Sequence, residues 1–500
     1  MKEVSLGSLL LLCSISWGAS ELGSISESVS SRFQVNASDH LIFSSAKNDV
    51  DQTAPPTQTL MNEGKLHSEY GYWNGDIHFT NRYEPDPNKR SSPTFNLEKK
   101  SLRFESKDWQ FILGDSHPQL GRGIALSLFS EPVFGIDNTL EGAVGKYRPE
   151  NFELSFFGGR VNVLSNPVAI NPIDMRMKDR NVLMSGGTVN YKLNSDSQIG
   201  AYYLMTLNQR KSDLDLDKRF QTVGFHWSQD NMADSIDLYL ESNIMILDKA
   251  SKGAWVRNPL ARGNYFSASW SDSPWKIKFE AKDYHGFDYD FRKPPSLEEE
   301  VPLANVPNNF SDITAGKLYG EHLTLSTGTK VYSSLLYGRD RLENGELYHA
   351  VSGAKIPWSA GIETELKLGY RTVIGMSEMP HGSLKTKIKT FPGQVAELEM
   401  RKQFSRLQLN NNPSFEDRNS LLVSYSFSEN WSVTGGYEMI PTNDIELGKN
   451  FYNVGASYRR GSLTSRAFVG DTSGGAQCAG GVCRQAPAYS GAMLEASYLF

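Results

Sequence analysis

Residues 492–500 at the end of the chain read AMLEASYLF. Apolar or small residues occupy positions 492, 494, 496, 498 and 500, and Glu495 and Ser497 fall between them. Because successive side chains of a β-strand point to opposite sides, this alternation predicts an amphipathic strand. The strand ends on an aromatic residue, Phe500.

The same alternation extends backwards from this stretch. Residues 421–427, 431–439 and 452–458 each carry apolar residues at every second position, with Ser, Thr or Glu among the residues between them. Short turns such as Glu429-Asn430 separate these stretches, so the sequence predicts consecutive antiparallel hairpins. A soluble β-sandwich and a transmembrane β-barrel both have this period.

Composition favours the barrel. The chain has 500 residues, 39% of them apolar and 11% aromatic, and its mean hydropathy is −0.44. That average excludes a bundle of membrane helices, each of which needs about 20 consecutive apolar residues. A barrel with a polar lumen combines many aromatic residues with a polar average. We therefore expect an all-β fold, a large antiparallel transmembrane β-barrel of roughly 18–24 strands with a short N-terminal segment.

The amino-terminal residues predict export. Lys2 precedes an apolar run at residues 9–13, and small residues follow it around Gly18. This order is typical of a secretory signal peptide, which we assign to residues 1–18. The Ser-rich residues 19–62 are interpreted as a periplasmic or entry segment with one strand around Arg32 to Ala37, and residues 63–500 as the barrel. The expected location is the bacterial outer membrane.

Two classes of partner follow from the predicted barrel. The final strand, with Tyr498 and Phe500, resembles the closing strand of outer-membrane barrels that the barrel assembly machinery reads. Outer-membrane lipid would contact the apolar face. The formal net charge of −6 and the lack of a basic cluster with interleaved aromatic residues argue against nucleic acid. The sequence leaves the oligomeric state open.

Cys478 and Cys483 remain in the chain once the signal peptide is removed. Gly480 and Gly481 lie between them and permit a tight turn. In the oxidising periplasm such a pair can form a disulfide, and two free thiols are the alternative. No further Cys or His lies nearby in the sequence, so we expect no metal site there.

A ladder of charges is predicted on three consecutive strands. A three-residue turn at residues 391–393 would join the second strand to the third and pair positions whose numbers sum to 784. A longer loop at residues 369–383 would join the first strand to the second and pair positions whose numbers sum to 750. Charges near the middle of the lipid face would cost about 2–4 kcal/mol for each Lys, so the ladder is expected to line the lumen. Its members are Glu363, Glu365, Lys385, Lys387, Glu397 and Glu399. A solvated face of a soluble sheet is the alternative.

Motifs of enzymes and cofactor sites are sparse. The sequence has no zinc-protease motif, P-loop or Rossmann glycine pattern, and we expect neither cofactor nor metal. Gly114-Asp115-Ser116-His117 is similar to the nucleophile block of Gly-Asp-Ser esterases, but no Asp-x-x-His partner block follows it. We therefore expect no enzymatic activity.

The stretches 121–127 (GRGIALS), 134–142 (FGIDNTLEG), 147–149 (YRP) and 480–484 (GGVCR) carry a resemblance. They are similar to a family of predicted Gram-negative outer-membrane proteins catalogued only as a domain of unknown function. The resemblance runs from about residue 30 to Phe500 and implies an outer-membrane barrel without an assigned activity. Within these stretches and beside them, the candidate lumen or constriction residues are Asp115, Arg122, Asp137 and Asn138.

Three functions are compatible with these observations. The first is a channel or uptake barrel of the porin kind with a charged lumen, because most large barrels enclose an aqueous space. The second is a structural or secretion-associated barrel with a filled lumen and no solute flux. The third, which we disfavour, is a hydrolase built into the barrel wall.

Overall fold

The computed structural model describes most of the chain from Gln34 to Leu499. Among the described residues, no helix is long and apolar enough to span a membrane. The described ranges are 34–46, 57–83, 94–131, 136–164, 178–209, 218–251, 254–257, 260–287, 297, 312–340, 345–374, 377–409, 412–440, 449–472, 475–479, 482–486 and 489–499.

Within these ranges, 24 antiparallel strands form one closed β-barrel. This count lies inside the predicted range, so the predicted fold class is confirmed. The barrel strands are β1 (Gln34–Ala46), β2 (Thr57–Tyr70), β3 (Trp73–Tyr83), β4 (Thr94–Glu105), β5 (Trp109–Ser116), β10 (Leu140–Tyr147), β11 (Phe152–Leu164), β12 (Lys178–Lys192), β13 (Ser197–Gln209), β14 (Lys218–Met232), β15 (Ile236–Ser251), β17 (Ala261–Asp272), β18 (Trp275–His285), β19 (Ile313–Thr324), β20 (Thr329–Asp340), β21 (Glu346–Ser359), β22 (Ile362–Val373), β23 (Ser377–Phe391), β24 (Gln394–Leu409), β25 (Asn412–Ser426), β26 (Trp431–Ile440), β27 (Lys449–Arg460), β28 (Leu463–Thr472) and β31 (Tyr489–Leu499).

Seven short strands complete the described secondary structure. Four of them lie in the connection between β5 and β10, one extends the edge of β15, and two form a hairpin between β28 and β31. They are β6 (Gln119–Leu120), β7 (Leu126–Ser127), β8 (Ser130–Glu131), β9 (Ile136–Asp137), β16 (Ala254–Arg257), β29 (Gly475–Ala479) and β30 (Val482–Ala486).

The barrel closes where its first strand meets its last. β1 pairs antiparallel with β31, with Ser38 opposite Leu499 and His40 opposite Ser497. The predicted boundary at residue 62/63 is therefore wrong, because β1 and the first half of β2 belong to the barrel wall. The single strand expected around residues 32–37 overlaps β1, but the polar composition concealed the length of β1 and the start of β2.

Many barrel strands present an apolar outer face and a polar inner face. On β22, Leu366 and Leu368 are exposed on one side, while Glu365, Lys367 and the fully buried Arg371 lie on the other. The exposed apolar residues of neighbouring strands continue the first side, for example Leu384 on β23 and Leu318 on β19. An apolar exterior and a polar interior are the arrangement of barrels that are surrounded by lipid.

The two ends of the barrel differ. At one end, called here the turn end, the strands are joined by two to four residues, as at 71–72 and 461–462. The opposite, or loop end, holds the two longest connections, 117–139 and 286–312. Short turns at one end and long loops at the other are typical of outer-membrane barrels.

Aromatic pairs ring both ends. Trp109 and Tyr147 lie 4.4 Å apart at the turn end, and Tyr337 and Tyr348 lie 5.0 Å apart at the loop end. On β21 the exposed Tyr348 and Trp358 are ten positions apart. With about 3.3 Å per residue and a tilt of about 40°, they are about 25 Å apart along the barrel axis, which is the height of a membrane-spanning apolar band.

Candidate functional site

The connection between β5 and β10 enters the barrel instead of remaining at its rim. We call its described residues, 117–131 and 136–139, the inner segment. Its first half is a small hairpin in which Leu120 pairs with Leu126 and Gln119 pairs with Ser127. This hairpin packs against the inner faces of the strands from β10 onwards, where the buried apolar cluster of the molecule lies.

Apolar side chains attach the inner segment to the wall. Those at positions 120, 124, 125, 126 and 128 are at most 3% exposed. Gly263 on β17 leaves room for this contact, since a Cβ atom there would lie 3.3 Å from Ile124 and 3.2 Å from Phe287. Burial of one such side chain contributes about 1.5–3 kcal/mol, so the apolar contacts are the main force that holds the segment.

A buried carboxylate fixes the turn of the hairpin. Glu241 on β15 is 0% exposed, and its Oε2 accepts a hydrogen bond of 2.8 Å from the backbone N–H of Arg122. Tyr239 donates to the same oxygen at 2.6 Å, and Tyr202 and Asn243 donate to the other. Four donors compensate the removal of this carboxylate from water.

Two glycines shape the turn around Arg122. Gly121 and Gly123 have φ angles of +54° and +84°, a region that residues with a side chain rarely adopt. A Cβ atom on Gly121 would also lie 2.5 Å from the Glu241 carboxylate. The sequence GRG is therefore required for the turn to approach Glu241.

The side chain of Arg122 is held by two wall strands. Its Nη1 donates to Ser267 Oγ on β17 at 3.0 Å, and its Cζ lies 3.9 Å above the ring of Tyr239 on β15. Arg122 is nevertheless exposed. Because its anchors belong to the inner face, the guanidinium lies in the lumen.

The other candidate constriction residues do not converge on Arg122. Asp115 pairs with Glu141 across β5 and β10, on the face opposite the buried Leu140, and it accepts a 2.5 Å hydrogen bond from the backbone N–H of Lys100. Its expected lumenal position is therefore wrong. Asn138 lies in the inner segment and donates its backbone N–H to Phe129. The side chain of Asp137 lies outside the described residues.

The charge ladder has the strand registers that the sequence predicts. Lys387 is opposite Glu397 and Glu363, and Lys385 is opposite Glu399 and Glu365. The charged side chains do not contact the residues directly opposite them, however. Lys385 Nζ lies 2.7 Å from Glu397 Oε1, while Glu399 binds Arg401 at 2.7 Å and Glu363 binds Lys355 at 3.0 Å.

These charges share the inner face with Arg122. On β22, β23 and β24 the ladder residues alternate with exposed apolar residues such as Leu366, Leu384 and Met400. Arg122 is likewise bound to the face opposite the exposed Leu240 and Ile244 on β15. A closed barrel has only two faces, so the ladder and Arg122 belong to the same one. Their role in conduction remains a prediction.

The remaining sequence candidates lie near the last strand. β29 and β30 pair Cys478 directly with Cys483 along the backbone, but their side chains lie outside the described residues, so the disulfide stays a prediction. Tyr498 is exposed on β31, and its backbone faces Asp39 of β1. Phe500 lies outside the described residues.

The serine and histidine of the esterase-like tetrapeptide contact different partners. The Ser116 hydroxyl is oriented to the backbone oxygen of Leu140 at 3.5 Å, and His117 Nε2 lies 3.1 Å from Thr139 Oγ1. A nucleophilic serine would need a hydrogen bond to its base. Within the described ranges, no group of three or more His, Cys, Asp or Glu residues could hold a metal ion.

Sequence reasoning missed the partners of Arg122. Alternation at positions 239, 241 and 243 places Tyr239, Glu241 and Asn243 on one face, and this signal was present in the sequence. Nothing local connects it to Gly121, however, which is 120 positions earlier. The contact depends on the closed sheet and could not be read from a strand pattern.

A closed antiparallel sheet with an apolar exterior, a polar interior and an inward-folded segment defines an outer-membrane β-barrel. Residues 394–500 match the model of the Family of unknown function (DUF6029). The match confirms the resemblance to a family of unknown function and covers a shorter stretch than the sequence motifs suggested. No curated protein matches the chain.

Solved barrels are similar to the chain at low identity. The translocation pore of the P pilus usher PapC has 8% identity and a TM-score of 0.49, with coverage of 93% of this chain and 99% of that one. The copper transporter OprC has 9% identity, a TM-score of 0.49 and coverage of 94% and 80%. OccK9 (OpdG) of Pseudomonas aeruginosa has 12% identity, a TM-score of 0.40 and coverage of 75% and 98%.

Proposed function

We propose that the protein is a porin-like channel of the bacterial outer membrane, and that the inner segment narrows its lumen. The observation that carries this proposal is the hairpin at residues 119–127, bound to a polar inner wall through Glu241. In this proposal the molecule moves solutes and catalyses no reaction. Lipid surrounds the apolar face, and the barrel assembly machinery inserts the protein through β31.

The size of the barrel supports an aqueous lumen. Strands about 4.8 Å apart and tilted by about 40° give a 24-strand barrel a backbone diameter of roughly 48 Å. Side chains alone cannot fill such an interior. The described residues of the inner segment lie on one side of it, against β10 and the strands that follow.

Conductance of the purified, refolded protein in a planar bilayer tests the proposal. We expect stepwise, long-lived channels in KCl. Replacing residues 121–128 by a Gly-Ser linker of equal length should raise the single-channel conductance, because the apolar hairpin would no longer dock. A matched control replaces the exposed turn at residues 325–328, which lies at the turn end and should leave the conductance unchanged.

Two results would contradict the proposal in different ways. A well-folded, heat-modifiable barrel that never conducts would exclude the channel and favour a structural or secretion-associated barrel. A conducting protein whose conductance is insensitive to the linker exchange would exclude the inner segment as the constriction.

A further inference from the structure

We infer that Arg122 is a solute-binding position in the lumen and that its preferred ligands are small organic carboxylates. The inference rests on the proposed channel function and specifies the class of solute that would pass. It depends on how Arg122 is held and on which of its atoms remain accessible.

The wall holds Arg122 in place but leaves its side chain accessible to solvent. Its backbone N–H is bound by Glu241, its Nη1 by Ser267, and its guanidinium plane lies over Tyr239. The side chain remains exposed even though all three anchors lie on the inner wall. An arginine immobilised in this way loses little conformational freedom when it binds a ligand.

The described residues use little of the hydrogen-bonding capacity of Arg122. A guanidinium has five N–H donors. Throughout the described part of the chain, the one hydrogen bond that this guanidinium makes is to Ser267, and no carboxylate forms an ion pair with it. The free edge can therefore present two parallel N–H groups to a solute, which is the geometry that a carboxylate accepts.

The nearby acidic residues do not cancel this preference at the surface. Glu241 is fully buried and accepts hydrogen bonds from Tyr202, Tyr239, Asn243 and the Arg122 backbone. Glu280, which is 6% exposed, accepts from Tyr265 at 2.5 Å and pairs with Lys278 at 2.9 Å. A solute at this point of the wall meets the guanidinium before either carboxylate.

Succinate is a suitable probe, with butane-1,4-diol as its uncharged analogue and inorganic phosphate as a second oxyanion. In bilayers we expect the permeability of succinate relative to chloride to fall about fivefold in Arg122→Gln. This is about the factor by which attraction to one unit charge about 4 Å away in water changes an equilibrium constant. Permeation of the diol should not change. Arg122→Lys should retain part of the preference because it keeps the charge and loses the paired N–H groups.

Arg262→Gln is the matched control. Arg262 is an exposed arginine on the outer side of β17, where it pairs with Asp283 at 3.2 Å. Its removal changes the net charge equally and should leave the succinate preference as in the wild type. An equal loss in Arg262→Gln, or no loss in Arg122→Gln, would overturn the assignment. A phosphate preference that exceeds the succinate preference would overturn the carboxylate class.

A second measurement separates the inference from the proposed function. If the folded wild-type protein does not conduct, binding of succinate to the refolded barrel is measured by calorimetry. Binding that is lost in Arg122→Gln and retained in Arg262→Gln would support the site although the channel had failed. Absence of succinate binding to the wild type would overturn the site.

Discussion

Glu241 shows how one residue organises the interior. A carboxylate without access to water is costly unless every oxygen has donors. Here the donors come from three sources: β13, two strands away, through Tyr202; β15 itself through Tyr239 and Asn243; and the inner segment through Arg122. The backbone of the inner segment thus completes a polar network, and displacement of the segment would leave Glu241 with one donor fewer.

Gly121→Val should loosen the inner segment. The new side chain would need a positive φ and would meet Glu241 at 2.5 Å, so we expect docking to weaken by about 1–3 kcal/mol. Hydrogen exchange of the amides at residues 120–128 should therefore accelerate by about 5- to 150-fold. Gly320→Ala is the control, because a Cβ atom there meets nothing within 4 Å. Unchanged exchange in Gly121→Val would contradict the role of this turn.

At the level of strands, the charge ladder lies on the inner face and contributes little to the stability of the wall. The closest pair of the ladder, Lys385 and Glu397, has side chains 40% and 25% exposed. Ion pairs this accessible contribute between about 0 and 1 kcal/mol each. The cost of placing these charges in lipid constrains the orientation of the three strands more strongly than the ion pairs do, because the same residues on the lipid side would be destabilising.

Lys385→Glu combined with Lys387→Glu should shift ion selectivity toward cations. The exchange removes two positive charges and adds two negative ones beside Glu363, Glu365, Glu397 and Glu399 on the inner face, so the net charge there becomes more negative by four units. The reversal potential in a KCl gradient measures the shift. Lys402→Glu is a control on the outer side of β24, where Lys402 lies 3.8 Å from Asp417. A conducting double variant with the wild-type reversal potential would contradict a pore-lining role.

The hairpin of β29 and β30 is the element that should carry a disulfide. Cys478 and Cys483 are directly opposed in its backbone register, and opposed Cα atoms of antiparallel strands are about 4.5–5.5 Å apart, within the range of a disulfide. Mass spectrometry of the unreduced, alkylated protein should show a mass two hydrogens lower than the dithiol and no alkylation of either residue. Two alkylated thiols would contradict the prediction. Reduction should have a modest effect on stability, because the loop is short.

Across the whole molecule, alternation and turn length predicted the strands of the wall but not the contacts between residues that are distant in the sequence. The registers of β22, β23 and β24 follow from alternation and turn length, so the pairing of Lys387 with Glu397 and Glu363 was accessible from the sequence. The strand expected around residues 32–37 overlaps β1, but its extent and its place in the wall were missed because the sequence QVNASDHLIFSSA has polar residues on both faces. The contact of Arg122 with Glu241 was missed because ring closure and inward folding bring together residues that are distant in the sequence.

The seam between β1 and β31 joins the first and the last strand of the barrel. Backbone pairing runs from Ser38 opposite Leu499 to Ala46 opposite Gly491. Charges reinforce it on the inner side, where Glu495 lies 2.8 Å from His40 of β1 and 3.9 Å from Arg466 of β28. Until this seam forms, two strand edges expose unpaired backbone groups, which lipid cannot satisfy.

Deletion of Phe500 should therefore impair insertion more than stability. The residue follows β31 directly, so its loss leaves the pairing of Ser38 with Leu499 intact while removing the terminal aromatic group of the closing strand. We expect less heat-modifiable protein in the membrane fraction, whereas the inserted molecules should unfold at the wild-type temperature. Phe404→Ala removes an exposed aromatic residue from the outer side of β24 and serves as the control. A normal membrane yield after deletion would exclude Phe500 as an assembly signal, and a normal yield with a lowered unfolding temperature would show that it acts in the folded wall instead.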